Sequence, residues 1–192
     1  YEIRLRLVGS EMCIRDSDTP GVVLASAAKE YLKIYGVLVG KKPIIFTNND
    51  SAYETAIEFK NNGIEPIILD TRSNPKSEIV DEAKNLGINI KFSHVVVAAN
   101  GYKKVNSAQI AQISANKKDL GIIEKINCDC ICVSGFWTPS VHLASQSGNK
   151  LKYDKELDAF IPNISKQNEV SVGAANGTFN LKETIENGYQ EG

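Results

Sequence analysis

The sequence predicts an α/β fold with a Rossmann-like, doubly wound parallel unit. Three short apolar runs, Pro43–Thr47, Pro66–Asp70 and Ile88–Phe92, have the length of buried strands. Patterns with helical spacing alternate with these runs, and this order is typical of strand–helix–strand units in a parallel sheet. The chain has 192 residues, of which 42% are hydrophobic. It is therefore long enough for one large domain or two small ones with a sizeable core.

Three helices are predicted from their capping residues and apolar faces. Thr19 and Pro20 fit the N-cap and first position of a helix that Gly36 would end. A second helix is predicted over residues 52–63 and a third over residues 77–86. The second and third lie between predicted strands, where a parallel sheet needs its crossover helices.

The remainder of the chain adds a β-hairpin and part of a second dinucleotide-binding unit. His94–Ala99 and Lys104–Ile113 are predicted to form the hairpin around Asn100-Gly101. Cys128–Ser134 is predicted to be another buried strand. Residues 167–192 are predicted to form a strand, a glycine-rich turn and a helix that begins near Leu181.

Charge and cysteine content narrow the possible classes of protein. The formal net charge is −1, which gives no sign of a nucleic-acid or membrane-surface partner. The two histidines, His94 and His142, are too few for a multi-histidine metal centre. The four cysteines are Cys13, Cys128, Cys130 and Cys132. The last three would share one face of a strand and could not wrap tetrahedrally around one ion, so we predict buried structural thiols, no metal site and a cytoplasmic protein.

The first seventeen residues are predicted not to be native. The run from Tyr1 to Ser17 is no secretory signal, because its apolar stretch is short and it lacks a small-residue cleavage site. It resembles the peptide that results when sequencing-adapter DNA is translated; an ordinary β-strand and turn is the alternative. An adapter origin would leave Cys13 without function and would place the start of the chain inside its gene.

Candidate binding residues lie at the strand ends. Where a Rossmann unit carries its glycine-rich phosphate loop, this chain has Asn48-Asn49-Asp50 and no glycine. Asp50 is expected to satisfy the helix N–H groups itself and to repel a phosphate. Asp70 stands where an acid can bind a ribose hydroxyl, but a turn-capping role is favoured because the glycine loop is missing. Arg72 is expected to be solvated rather than to bind a phosphate.

Two further segments carry candidate residues. The loop over residues 134–139 follows a predicted parallel strand and contains the lone tryptophan, Trp137. His142, just after it, is expected to be structural. The small-residue turn Gly173–Thr178 precedes a helix, which suits close approach to a cofactor phosphate; a tight turn alone is the alternative.

Several blocks of the sequence, in order, resemble the alpha subunit of heterotetrameric sarcosine oxidase. The similarity runs from about residue 18 to the end of the chain. The blocks Asp18–Ala27 and Phe46–Tyr53 are together fairly specific. At the position of Phe136, the family usually has a second glycine. The blocks are Asp18–Ala27, Phe46–Tyr53, Cys128–Asp129, Val133–Pro139, His142–Leu143 and Gly173–Gly177.

The resemblance implies a fold of the FAD/NAD(P)-binding superfamily and a role in a flavoprotein complex. Such alpha subunits bind NAD, and a domain like the glycine-cleavage T-protein uses tetrahydrofolate. Their beta subunits oxidise the amine at FAD and pass electrons to FMN, and gamma and delta subunits complete the heterotetramer. By position, the resemblance assigns Ala174, Phe179 and Leu181 to the turn and helix entry that cover NAD. No catalytic residue is predicted.

The resemblance also implies how the chain is divided. Residues 18–39 would be a helix of the first dinucleotide-binding unit. Residues 40–115 would be an inserted Rossmann-like unit of the NAD-domain type, and residues 116–192 would return to the first unit. Because half of the binding crevice would then be missing, the chain alone is expected to bind NAD poorly and to be inactive.

The implied reaction is the oxidative demethylation of sarcosine to glycine, with hydrogen peroxide and a one-carbon unit passed to tetrahydrofolate. This is oxidoreductase chemistry on a CH–NH donor. Two other functions stay open. One is the alpha subunit of a related amine dehydrogenase acting on proline or an opine, which lacks the folate domain. The other is a non-catalytic scaffold with structural NAD, which the missing glycine loop at Asn48 favours.

Overall fold

A computed structural model describes residues 14–114, 119–135, 137–155, 157 and 159–192. The chain divides into two compact units at residues 136 and 137. The division expected at residues 39 and 115 stays a prediction, and a strand after residue 116 joins the same sheet as the strands before it. None of the described helices is long and apolar enough to cross a membrane.

The first unit contains eight strands and three helices within the described residues. In chain order they are β1 (Val22–Leu24), α1 (Ala25–Tyr35), β2 (Pro43–Thr47), α2 (Ser51–Asn61), β3 (Ile67–Asp70), α3 (Glu78–Asn85), β4 (Asn89–Phe92), β5 (His94–Gly101), β6 (Val105–Ile113), β7 (Leu120–Asn127) and β8 (Cys130–Ser134).

Five parallel strands form the central sheet in the order β1-β8-β2-β3-β4. The chain runs from β2 through β3 to β4 on one side, and β8 then pairs with the other side of β2. The direction in which strands are added therefore reverses between β2 and β8, which makes this the topological switch point. The predicted Rossmann-like parallel sheet is confirmed.

Alternation along the strands places side chains on two buried faces. Ile45 and Ile68 face a core formed with α1, α2 and α3. Ile44 and Leu69 point the other way, into a core formed with β5 and β6. Helices thus cover one face and an antiparallel sheet covers the other, which explains why the strands are continuously apolar.

The first helix begins later than predicted. Residues 22–24 pair with β8 as an edge strand, and α1 starts only at Ala25. The pairing with β8 satisfies the backbone of these residues, a long-range contact that helical spacing does not reveal. Gly36 ends the helix as predicted, with φ of 63° and its N–H donated to the Leu32 carbonyl.

The predicted hairpin is confirmed, but its turn lies further along the chain. β5 extends to Gly101, so residues 102–104 make the turn that was predicted at Asn100-Gly101. A Cβ at position 101 would collide with the Lys104 carbonyl oxygen, so this tight return requires glycine. The third strand of this sheet, β7, was not predicted.

The cysteines do not all share one face. Cys130 and Cys132 lie in the core below the helices, with their sulfurs 3.7 Å apart. Cys128 packs in the opposite core, because β8 begins only at Cys130 and the chain before it does not continue the strand alternation. The predicted alignment of three thiols is therefore wrong for Cys128, whereas the predicted burial of all three is confirmed.

Residues 14–17, inside the segment predicted to be non-native, are partly integrated into the first unit. Ile14 is buried in the core that contains β5 and β6. Arg15 forms backbone hydrogen bonds with the residues on either side of Ala98. Its N–H donates to the Val97 carbonyl, and its own carbonyl accepts from the Ala99 N–H. Cys13 lies outside the described residues. The origin of this segment stays a prediction.

Within its described residues, the second unit contains two helices, a hairpin and a short 3-10 turn. They are α4 (His142–Gln146), β9 (Lys150–Asp154), β10 (Ala159–Ile164), the 3-10 turn (Gly173–Asn176) and α5 (Leu181–Glu191). The predicted start of the last helix is confirmed, and Asn180 caps it by accepting from the N–H groups of Lys182 and Glu183. The strand predicted near Gln167 is wrong, since residues 165–172 form bends and irregular structure, and the β9–β10 hairpin was not predicted.

Candidate functional site

The loops after β2 and β8 face each other at the switch point, where open α/β sheets bind their ligands. Asn49 follows β2, and its side-chain Nδ2 donates to the Gly135 carbonyl oxygen at 2.6 Å. The hydroxyls of Ser51 and Ser134 are 3.1 Å apart. Side chains of the chain itself therefore connect the two loops across the crevice.

Asn49 also organises the start of α2. Its Oδ1 accepts from the Ser51 backbone N–H at 3.0 Å and from the Ser51 hydroxyl at 2.6 Å. Asp50, which was expected to satisfy these N–H groups, makes no such side-chain hydrogen bond. That expectation is wrong because the Asp50 carboxylate turns towards Arg72 instead.

A second cluster joins the loop after β2 to the end of β3. Asp70, the last residue of β3, is fully buried and accepts from the Tyr53 hydroxyl at 2.7 Å. Arg72 donates to Asp70 from its backbone N–H at 2.9 Å and from Nη2 at 2.8 Å. Arg72 Nη1 lies 2.8 Å from the Asp50 carboxylate. Arg72 is therefore held between two carboxylates, and the expectation that it is solvated is wrong.

Burial and charge both act on this cluster. Burial raises the pKa of Tyr53 well above its ordinary value, and the hydrogen bond to Asp70 adds to this effect. Burial opposes the charged form of Arg72, but the hydrogen bonds to Asp70 and the ion pair with Asp50 outweigh it and raise the pKa of the guanidinium. Around neutral pH, the Tyr53 phenol therefore stays protonated and the Arg72 guanidinium stays positively charged.

These contacts decide between the two roles considered for Asp70. Its Oδ1 caps the turn to Arg72, and its Oδ2 accepts from Tyr53 and Arg72. A ribose hydroxyl would have to displace one of these partners in a fully buried position. The geometry therefore favours the turn-capping role that was predicted from the sequence.

The turn assigned to NAD lies in the second unit. Ala174 is exposed in the 3-10 turn, and its carbonyl oxygen lies 3.4 Å from the N–H of Ser140. Phe179 is half-buried against Trp137, with ring centroids 6.1 Å apart. Leu181 opens α5 with 74% of its surface exposed. The three residues thus offer apolar surface, suited to a ring or a ribose face.

The glycines of this turn are explained by its own packing. A Cβ at Gly173 would lie 2.6 Å from Cγ2 of Thr184, and one at Gly177 would lie 2.5 Å from Cδ1 of Leu157. Both also have positive φ, 61° and 84°. Because Asn180 already occupies the N–H groups of Lys182 and Glu183, the helix start offers few free donors to a phosphate.

The described residues contain no group of three or more histidine, cysteine, aspartate or glutamate side chains placed to hold a metal ion. His94 contacts the Phe92 carbonyl oxygen through Nδ1 at 2.6 Å. His142 is exposed at the first position of α4.

Comparison with curated proteins supports the resemblance seen in the sequence blocks. The chain is 31% identical over 179 residues to sarcosine oxidase subunit alpha of Corynebacterium sp. (strain P-1), covering 92% of this chain and 18% of that protein. It is 32% identical over 167 residues to the subunit of the same name from Rhizobium meliloti (strain 1021), covering 83% of this chain and 15% of that protein. The chain thus spans less than a fifth of these relatives, and no family model matches it. The resemblance to this subunit is confirmed over most of the chain.

Solved structures share the fold. Thioredoxin reductase from Lactococcus lactis has a TM-score of 0.69 and 16% identity, with 96% of this chain and 59% of that chain covered. Thioredoxin reductase from T. acidophilum has a TM-score of 0.66 and 14% identity, with 93% and 57% covered. These likenesses confirm the Rossmann-type fold.

Proposed function

We propose that this chain is part of the NAD-binding alpha subunit of a cytoplasmic, flavin-dependent sarcosine oxidase. The whole enzyme would convert sarcosine to glycine, with oxygen reduced to hydrogen peroxide and the methyl carbon passed to tetrahydrofolate. It would use FAD and FMN with the beta, gamma and delta subunits. The single observation that carries this proposal is the identity of about 30% to subunits of this name over most of the chain.

In this proposal the chain contributes cofactor binding and no catalytic residue. Ala174, Phe179 and Leu181 would cover one side of NAD by van der Waals contact, since they present apolar surface. Asn180 already caps the start of α5, so the pyrophosphate would need donors from elsewhere in the subunit. NAD itself would supply a redox-active or structural dinucleotide, while oxidation of the amine would take place at the flavin.

The activity is tested on the full-length subunit assembled with its partners. Sarcosine should be consumed with one hydrogen peroxide per glycine, and tetrahydrofolate should capture the carbon that otherwise appears as formaldehyde. L-Proline serves as the competing substrate. Turnover of L-proline without sarcosine turnover would refute the sarcosine proposal and favour an amine dehydrogenase.

The NAD site is tested by a matched pair of substitutions in α5. Leu181 and Ile185 lie one turn apart and are 74% and 62% exposed, so replacing either by aspartate should leave the fold intact. In the assembled complex, Leu181→Asp should lower the NAD released on denaturation several-fold, whereas Ile185→Asp should not. Equal NAD content in both variants would contradict the assignment of Leu181.

A non-catalytic scaffold with structural NAD is the second candidate, because the crevice of the first unit is bridged by the contacts of Asn49. Adding reduced nicotinamide dinucleotide to the intact complex distinguishes a redox-active NAD from a purely structural one. Reduction of the flavin would exclude a purely structural NAD, and an unchanged flavin spectrum would favour the scaffold.

A further inference from the structure

The loop after β2 is fastened on both sides by side-chain contacts. Towards β8, Asn49 donates to the Gly135 carbonyl oxygen at 2.6 Å, and Ser51 contacts the Ser134 hydroxyl at 3.1 Å. We call these four residues, Asn49, Ser51, Ser134 and Gly135, the switch-point lock. Towards β3, the Asp50 carboxylate pairs with Arg72 at 2.8 Å.

A dinucleotide in a Rossmann unit needs this crevice open. Its pyrophosphate lies against the loop after the first strand and the N-terminus of the next helix, where glycines allow close approach and backbone N–H groups are free. Here the Ser51 N–H is occupied by Asn49 Oδ1 at 3.0 Å. The Asp50 carboxylate lies beside the same helix start, where it would repel a phosphate.

From these contacts, we propose that the switch-point lock is a built-in closure that keeps a dinucleotide out of the first unit. The chain's own carboxamide and hydroxyls occupy the hydrogen-bonding positions that a ligand would need. The sheet therefore keeps a nucleotide-binding architecture while serving as a rigid support. Any dinucleotide that the protein holds would lie outside this crevice.

The contacts of the switch-point lock are sufficient to hold the loop after β2 in its closed position. The contact between Asn49 and the Gly135 carbonyl is short, at 2.6 Å. Thr47, at the end of β2, is buried and accepts from the Asn49 N–H at 3.1 Å. The Asn49 side chain is therefore held by bonds on both its amide nitrogen and its oxygen, which fixes its orientation. A ligand would have to break these bonds without restoring them, a cost that favours the closed loop.

Amide hydrogen exchange on the 192-residue chain tests the closure. Millimolar NAD or ADP-ribose should leave the exchange of the Ser51, Ala52 and Tyr53 amides unchanged. Asn49→Ala should make the Ser51 amide exchange about tenfold faster, because its acceptor is removed and the loop is freed. Asn85→Ala, at the exposed end of α3, is the matched control and should leave the Ser51 rate unchanged.

Two results would overturn the proposal: nucleotide-dependent protection of the α2 amides in the unmodified chain, or equal Ser51 exchange in the two variants. If Asn49→Ala does not fold, Asn49→Asp keeps the side-chain size but adds a negative charge and removes the bonds that Nδ2 donates to the Gly135 carbonyl and to Asn48 Oδ1. Amides of residues 47–51 should then exchange several-fold faster than in Asn85→Asp, and equal rates would again overturn it. The readout is local exchange, so this outcome is independent of the proposed sarcosine activity.

Discussion

Substitution of Asp70 by alanine should strongly destabilise the first unit. The Asp70 carboxylate is fully buried and accepts from the Tyr53 hydroxyl at 2.7 Å and from Arg72 Nη2 at 2.8 Å. Asp70→Ala leaves a buried phenol without its acceptor and a partly buried guanidinium with only Asp50. Breaking a buried charged pair from one side costs about 3–5 kcal/mol, and we expect a loss of this size in the free energy of unfolding.

The companion substitution isolates the phenol. Tyr53→Phe removes the donor but leaves Asp70 paired with Arg72, so it should cost only about 1 kcal/mol. In the double variant, Asp70→Ala no longer leaves the Tyr53 hydroxyl unpaired. The two losses should therefore be less than additive by about 1 kcal/mol or more.

Urea unfolding followed by circular dichroism measures these differences. Asp81→Ala is the matched control, because Asp81 pairs with Lys84 at 2.9 Å on the exposed surface of α3 and should contribute less than about 1 kcal/mol. If Asp70→Ala were no more destabilising than Asp81→Ala, the reasoning from buried pairing would be refuted. Additive losses in the double variant would refute the direct Tyr53–Asp70 coupling.

Three further outcomes are expected. Burial raises the pKa of the Cys128 thiol from 9.0 to about 12, so the folded state holds a proton that the unfolded chain releases. The free energy of unfolding should therefore fall as pH rises from about 9 towards 12. Cys128→Ala should make this fall with pH smaller in urea titrations. Gly177→Ala should lower the thermal midpoint of the second unit, because Gly177 has φ of 84° and a Cβ there would lie 2.5 Å from Leu157. Gly188→Ala is the control: this glycine faces open space within α5, so the thermal midpoint should be unchanged or higher. Cys130 and Cys132 should react with an aromatic disulfide reagent only as fast as the chain unfolds, and rapid labelling of the native protein would contradict their complete burial.

The central strands were predictable because their signal is local. Continuous apolar runs such as Pro43–Thr47 already indicate a strand that is buried on both faces. Capping chemistry likewise marked the end of α1 at Gly36 and the entry to α5 near Leu181. These features depend on a few neighbouring residues, so the sequence carries them without knowledge of the fold.

The missed elements depend on partners that are distant in the chain. Residues 22–24 became a strand because β8, more than 100 residues later, offers them backbone pairing. β7 was missed because its side chains are largely exposed, so it lacks the apolar alternation by which strands are recognised. Cys128 was placed on the wrong face because the start of β8 is set by pairing with β2.

The sequence by itself determined the α/β class, the absence of a glycine-rich loop after β2 and the similarity to sarcosine oxidase alpha subunits. Only the tertiary structure decided what replaces that loop. Asn49 and Gly135 are 86 positions apart in the chain, and their hydrogen bond exists because β2 and β8 are neighbours in the sheet. Likewise Tyr53 and Arg72 meet on Asp70 only because α2 packs over β3. Such contacts arise from the order of the strands, which local residue patterns do not encode.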